Sequence, residues 1–145
     1  AVADPGAELV RLAHEKGIPV RPLVGPSSLL LSLMASGLNG QRFAFNGYLP
    51  VDNDQRAKRI RILEERSHKD HQTQLFIETP YRNAALLSAL CQHCRSDTRL
   101  CVATNVSLPD ESIETLPVAA WRERLKKGKQ PSFQRKPTVF LFLAV

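Results

Sequence analysis

The chain has 145 residues, of which 43% are hydrophobic and 23% charged, a composition typical of a folded globular protein. It excludes a disordered or collagen-like chain. The longest apolar run, residues 23–38, is interrupted by glycine, proline and serine and is shorter than a membrane span, so we expect no membrane partner. The first nine residues contain two acidic residues and a proline and do not resemble a signal peptide.

The first 38 residues predict a helix, a short strand and a second helix. Asp4 as a cap and a proline in the first turn favour a helix that ends near Gly17. Residues 18–24 have the pattern of a short strand. Residues 25–28 form a tight turn whose serines are placed to cap a buried apolar helix over residues 29–36. This alternation is typical of a parallel α/β sheet.

Two glycines and an asparagine among residues 37–40 predict a boundary between a unit over residues 1–38 and a second over residues 42–145. The predicted strands of the second unit are residues 42–49, 74–79, 100–105, 112–117 and 138–145, and its predicted helices are residues 52–71, 81–94 and 121–127. The last strand is continuously apolar, so we expect it in the middle of the sheet. The predicted fold class is α/β, a mixed sheet of about five strands flanked by helices, preceded by the tail of an N-terminal parallel α/β domain.

Cysteine and histidine usage favours neither a disulfide framework nor a metal site. Cys91, Cys94 and Cys101 are an odd number of cysteines, which indicates a reducing compartment such as the cytoplasm. Cys91 and Cys94 have the spacing of half a structural zinc site, but a second half is missing. His68 and His71 lie in a charged stretch and are interpreted as solvated surface. We therefore expect no bound metal.

A basic segment over residues 119–136 carries the excess charge. It holds seven basic residues and one glutamate, and the rest of the chain holds 13 residues of each sign. A basic strip on a neutral body is typical of a polyanion-binding surface. A solvated loop of the same composition is the alternative.

Three predicted strand ends carry polar groups that suit a small polar ligand: residues 25–28, residues 78–82, and Thr104 with Asn105. In an open α/β sheet, ligands bind beyond the carboxyl ends of the strands. Each end, taken alone, is equally explained as a helix cap or a turn. The sequence contains no glycine-rich phosphate loop, serine elbow, metalloprotease pair or Walker motif.

Five segments follow one another in an order that resembles a known family. They are DPGAELV at residues 4–10, GPSS at 25–28, ASGL at 35–38, RFAFNGYLP at 42–50 and FIETPYR at 76–82. They resemble the tetrapyrrole-methylase superfamily of S-adenosylmethionine (SAM) dependent methyltransferases, most closely the branch that methylates a cytidine ribose 2′-oxygen in small-subunit ribosomal RNA. The resemblance implies a cytoplasmic homodimeric two-domain enzyme with SAM between its domains, and a chain that is a C-terminal fragment of it.

The resemblance also implies which residues contact the ligands. Ser27 and Ser28 match a Thr-Ala pair in contact with the cofactor, and the start of the last strand matches main chain that meets the adenine. The implied SAM-binding residues are Ala1, Ser27, Ser28, Glu78, Thr79, Asn105, Pro137 and Thr138. The implied RNA-binding residues are Arg82, Arg124, Lys126, Lys127 and Lys129. No catalytic base is identified; Glu78 is the one candidate, and its alternative role is to bind Arg82 or SAM.

Two departures from the ribosomal RNA branch leave the substrate open. TPYR at residues 79–82 stands where the branch has Ser-Pro-His-Arg, and residues 103–105 replace a strand end rich in arginine and glutamate. The first hypothesis is a methyltransferase acting on the RNA of the small ribosomal subunit. The second is a methyltransferase of a tetrapyrrole ring, whose carboxylates would also suit a basic strip. The third is a non-catalytic RNA-binding or dimerisation module. The chain alone is expected to be inactive.

Overall fold

Five strands and five α-helices make up the part of the chain that the computed structural model describes, which is residue 2, residues 5–133 and residues 135–145. The predicted α/β fold class is therefore confirmed. In chain order the elements are α1 Gly6–Glu15, α2 Ser28–Ser36, β1 Phe43–Phe45, α3 Asn53–Asp70, β2 Thr73–Glu78, a 3₁₀ turn Pro80–Arg82, α4 Asn83–His93, β3 Arg99–Thr104, β4 Ser112–Pro117, α5 Val118–Lys126 and β5 Thr138–Leu143.

The strands form one mixed sheet in the order β1-β2-β5-β3-β4. β1 runs parallel to β2, and the other three pairings are antiparallel. β5 is central, as its apolar sequence predicts, and all of its residues are buried. Because β5 is antiparallel to both neighbours, β2 and β3 end at the same edge of the sheet. Glu78 and Thr104 accordingly both lie opposite Thr138, the first residue of β5.

Alternate residues of the strands fill two cores, one on each face of the sheet. Helices α3, α4 and α5 cover one face, where Phe76 and Phe140 pack with Trp121. Helix α2 lies on the other face, where Leu33 packs against Leu141. The chain on both sides of the predicted boundary at residues 37–40 thus contributes to one layered structure.

The ends of the two clearest helices follow the local signals in the sequence. The Asp52 carboxylate accepts a hydrogen bond from the Gln55 backbone N–H at 2.9 Å and caps α3, which ends at His71 with a φ of 48°. Helix α1 is followed by Gly17, whose φ of 66° suits glycine. Asp4, the predicted cap of α1, lies outside the described residues. Among the described residues, no helix is long and apolar enough to cross a membrane.

Three local predictions were wrong. Residues 18–24 form no strand, because no described strand pairs with them and two prolines remove backbone donors. Leu23 and Val24 are almost fully exposed. Helix α2 is buried on one face only, with Met34 exposed, and neither serine at its start makes a side-chain cap. β1 has three residues instead of the eight predicted, since the chain turns at Gly47, whose φ is 64°.

Candidate functional site

A cavity of about 350 Å³ lies at the edge of the sheet where β2 and β3 end and β5 begins. Its apolar wall includes Ile77 and Ala103 near the ends of β2 and β3 and Val139 near the start of β5. Its polar groups come from the strand ends and the start of α2. The lining residues are Ser28, Tyr48, Ile77, Glu78, Pro80, Ala103, Asn105, Val106, Leu108, Pro137, Thr138 and Val139. The three strand ends or turns predicted to carry polar ligand groups therefore meet here.

A buried hydrogen-bond network adjoins this cavity through Thr138, the member that lines it. The Thr138 hydroxyl donates to the Lys136 carbonyl at 3.2 Å and lies 3.2 Å from the Thr104 hydroxyl. The two N–H groups of the Asn83 amide reach the Lys136 carbonyl at 3.0 Å and the Thr138 hydroxyl at 3.1 Å. Since the Thr138 proton is used towards Lys136, Thr104 is the donor in the threonine pair. The network connects α4, β3 and the entry to β5.

The turn after β3 is fixed by Asn105. Its φ is 50°, its backbone N–H donates to the Pro137 carbonyl at 2.9 Å, and its amide donates to both Asp110 carboxylate oxygens at 2.9 Å. Lys136 pairs with the same carboxylate at 2.9 Å. Hydrogen bonds from Lys136 and then Asn105 lower the pKa of Asp110 below its ordinary value. Asn105 thus lines the cavity while its own amide holds the surrounding loop.

Glu78 ends β2 and is buried, with one carboxylate oxygen carrying several contacts. Its Oε1 pairs with Arg82 at 2.9 Å and accepts from the Thr79 backbone N–H at 2.7 Å and the Thr79 hydroxyl at 3.2 Å. Arg82 Nε also donates to the Thr79 hydroxyl at 3.2 Å. Glu78 therefore makes the contact with Arg82 that its alternative role requires, and Thr79 is engaged in the same cluster.

Ser27 and Ser28 border a second cavity of about 650 Å³, between residues 22–29 and the edge of β1 and β2. Ser28 lines both cavities, whereas Ser27 lines only this one. Neither hydroxyl makes a hydrogen bond within the described residues, so both are available to a ligand. Ala1, the remaining predicted cofactor contact, lies outside the described residues.

The predicted RNA-binding residues are in different electrostatic situations. Arg124 pairs with Glu114 and lies over the Trp121 ring, with its guanidinium carbon 5.5 Å from the ring centroid. The contact with Glu114 raises the pKa of Arg124. Lys126 pairs with Glu123 at 2.8 Å. Lys127 and Lys129 are exposed and form no ion pair with any described residue.

Sequence reasoning missed two residues of the site. Asn83 is fully buried, yet an asparagine at the start of a helix reads as an ordinary cap, and its partners lie 53 and 55 residues away. Tyr48 was assigned only to a strand, although the glycine before it indicates that the strand ends there and that the Tyr48 ring lies outside the sheet. Cys91 and Cys94 instead belong to the core, where burial raises the pKa of the Cys91 thiol to about 11 and that of Cys94 further.

The fold is that of a class of methyltransferases. The methyltransferase CobJ superposes on 96% of this chain and 56% of its own length, with a TM-score of 0.57 and 18% identity. Uroporphyrin-III C-methyltransferase from Thermus thermophilus, complexed with S-adenyl homocysteine, covers 95% of this chain and 58% of its own length, with a TM-score of 0.50 and 20% identity. At these identities the likeness shows the fold alone.

Sequence comparison shows which methyltransferases this chain resembles. No protein-family model matches the chain. Ribosomal RNA small subunit methyltransferase I of Pseudomonas aeruginosa is 34% identical over 118 residues, which are 81% of this chain and 40% of that protein. The chain spans about 40% of the length of this relative. The chain is similar in sequence to the ribosomal RNA small subunit methyltransferase I proteins and shares its fold with tetrapyrrole methyltransferases, so the predicted resemblance is confirmed.

Proposed function

We propose that this chain is part of a SAM-dependent methyltransferase that acts on the RNA of the small ribosomal subunit, at the 2′-oxygen of a cytidine ribose. One observation carries the proposal. A chain similar to ribosomal RNA small subunit methyltransferase I has five of its eight predicted cofactor contacts at a single cavity at the sheet edge: Ser28, Glu78, Asn105, Pro137 and Thr138.

The cavity has the composition that a nucleoside-containing cofactor requires. Its volume of about 350 Å³ is within the range of small-molecule sites, and Ile77, Ala103 and Val139 give it an apolar wall for a flat ring. The Ser28 hydroxyl is free to bind polar groups of the ligand. SAM itself supplies the methyl group, on a sulfonium that needs no metal. The residues of this chain bind and orient it and keep water from the reacting atoms.

The RNA part of the proposal is supported by charge. Lys127 and Lys129 lie exposed on the segment that leads from α5 to the cavity, and neither forms a salt bridge with a described acidic residue. Free surface cations of this kind supply much of the affinity for phosphates. The proposal includes a cytoplasmic homodimer. The three buried free cysteines are consistent with a reducing compartment, and an elution volume with light scattering would test the dimer.

Methylation of a tetrapyrrole ring is the second candidate, because solved structures of tetrapyrrole methyltransferases share this fold. Their identities of 18% and 20% are lower than the 34% to the ribosomal RNA enzyme. Sequence likeness therefore favours the RNA substrate. The third candidate is a non-catalytic RNA-binding or dimerisation module, which a failure of the protein to bind SAM would support.

The test is transfer of labelled methyl from SAM by the full-length protein, with unmethylated small ribosomal subunits and a tetrapyrrole acid offered side by side. We expect label in the RNA, lost in Ser28→Trp, which fills the cavity, and retained in Ser88→Trp, which places the same ring on the exposed side of α4. Label only in the tetrapyrrole would overturn the substrate. No transfer and no SAM binding would overturn the enzyme.

A further inference from the structure

A third cavity, an open cleft, adjoins the candidate SAM cavity. Its volume is about 630 Å³ and its lining residues are Pro80, Tyr81, Ala84, Phe133 and Arg135. Pro80 lines both the cavity and the cleft, so the two sites share a wall. The cleft lies between the turn after β2 and the segment that enters β5. We call it the Tyr81 cleft.

The Tyr81 ring is presented to solvent on a rigid support. Its residue is 82% exposed, although the ring is large and apolar. The 3₁₀ turn that carries it is closed by the Arg82 backbone N–H on the Thr79 carbonyl at 2.8 Å. Arg82 is itself held by Glu78, and its guanidinium carbon lies 5.7 Å from the Tyr81 ring centroid. The packing of the fold does not require this ring, which therefore has a face available for a partner.

The surroundings of the cleft are basic. Arg135 is exposed, lines the cleft and forms no ion pair with a described residue. Lys127 and Lys129 do not line the cleft but lie on the same connection between α5 and β5, exposed and without a salt bridge to a described residue. On the inner side, Phe133 is 8% exposed and packs against Phe140, with ring centroids 6.1 Å apart. An apolar floor, an exposed aromatic ring and the unpaired Arg135 in the lining fit a flat ring attached to an anionic backbone.

We propose that the Tyr81 cleft holds an unpaired nucleobase of the RNA substrate, stacked on the Tyr81 ring, with Arg135 at the adjoining phosphate. The inference rests on the proposed function and adds the form of its substrate: a single-stranded nucleotide instead of a duplex. A base within a helix has both faces covered, whereas a splayed base offers one to an aromatic side chain. Because the cleft shares Pro80 with the cavity, a nucleotide stacked there lies beside the methyl donor.

The experiment compares Tyr81→Ala, Tyr81→Phe and the control Ile62→Ala in the full-length protein. Ile62 is an exposed apolar residue of α3, remote from both sites. Binding of a short single-stranded RNA containing 2-aminopurine is followed by fluorescence, with KM for small subunits and Kd for SAM measured in parallel. We expect Tyr81→Ala to weaken RNA binding about tenfold, within the range of base–aromatic stacking. Tyr81→Phe and Ile62→Ala should match the wild type, and SAM affinity should be unchanged throughout.

The outcomes separate this inference from the proposed function. If the wild type methylates RNA and Tyr81→Ala binds RNA and turns over normally, the inference fails and the function stands. Equal losses in Tyr81→Ala and Tyr81→Phe, or equal effects on duplex and single-stranded RNA, would also overturn stacking. If the wild type transfers no methyl group to RNA, the function fails, and Tyr81-dependent RNA binding still decides the inference. Tyr81-dependent binding of a tetrapyrrole acid instead of RNA would overturn it.

Discussion

Removing the Asn83 side chain tests whether the buried hydrogen-bond network beside the cavity stabilises the fold. Asn83→Ala deletes two hydrogen bonds, to Lys136 and Thr138, each worth about 1 kcal/mol net, and leaves the buried Thr138 hydroxyl with one partner fewer. It also removes Asn83 Oδ1, a buried atom without a hydrogen-bond partner among the described residues. Removing that unsatisfied atom offsets the loss of stability by about 1 kcal/mol. The free energy of unfolding should fall by about 1–3 kcal/mol.

Urea unfolding of the 145-residue chain, followed by the fluorescence of its single tryptophan, measures the loss. With a slope of about 2 kcal/mol per M, the midpoint should fall by about 0.5–1.5 M. Asn83→Asp keeps the volume but faces the Lys136 carbonyl with a carboxylate at pH 7, so it should be more destabilising than Asn83→Ala. The control is Asn39→Ala, which loses two exposed hydrogen bonds, to the His71 carbonyl at 2.6 Å and from the Gln41 backbone N–H at 3.0 Å, and should cost under about 1 kcal/mol. Equal midpoints for Asn83→Asp and the wild type would refute the network.

Three further predictions concern the core and the cavity loop. Trp121→Phe removes the Nε1 hydrogen bond to the Leu100 carbonyl at 2.8 Å and should cost about 1–3 kcal/mol, measured by urea unfolding followed by circular dichroism because this variant has no tryptophan. By NMR, the pKa of the Asp110 carboxyl should lie below 3.8 and should return towards 3.8 in Lys136→Met. Because the folded state lowers this pKa, the contact stabilises the fold at pH values above the ordinary pKa. That stabilisation disappears as the pH falls through the lowered pKa. The Cys91 thiol, with its pKa raised to about 11, should resist a thiol reagent at pH 8 until the protein is unfolded.

Local sequence patterns predicted most of the fold, because helices α3 and α4 and the central strand β5 have the apolar periodicity that their burial requires. The meeting of Glu78 and Asn105 at one cavity followed from a general rule about strand ends. Residues 18–24 were misassigned because a strand forms only beside another strand with which it can pair, and the composition of a segment does not reveal its pairing partner. Asn83 was missed because its partners depend on tertiary structure, 53 and 55 residues further along the chain.

The position of β5 has a consequence for how the cavity is assembled. In the sheet order, β1 and β2 are joined to β3 and β4 only through β5, the last strand of the chain. Loop closure between such distant segments is an entropic cost that is met late in folding. A growing polypeptide that has not yet added residues 138–143 therefore contains two separate strand pairs, with Glu78 and Thr104 unconnected. The cavity is therefore completed only when residues 137–139, which line it, have been made, so the site forms only after the strands on both sides of it.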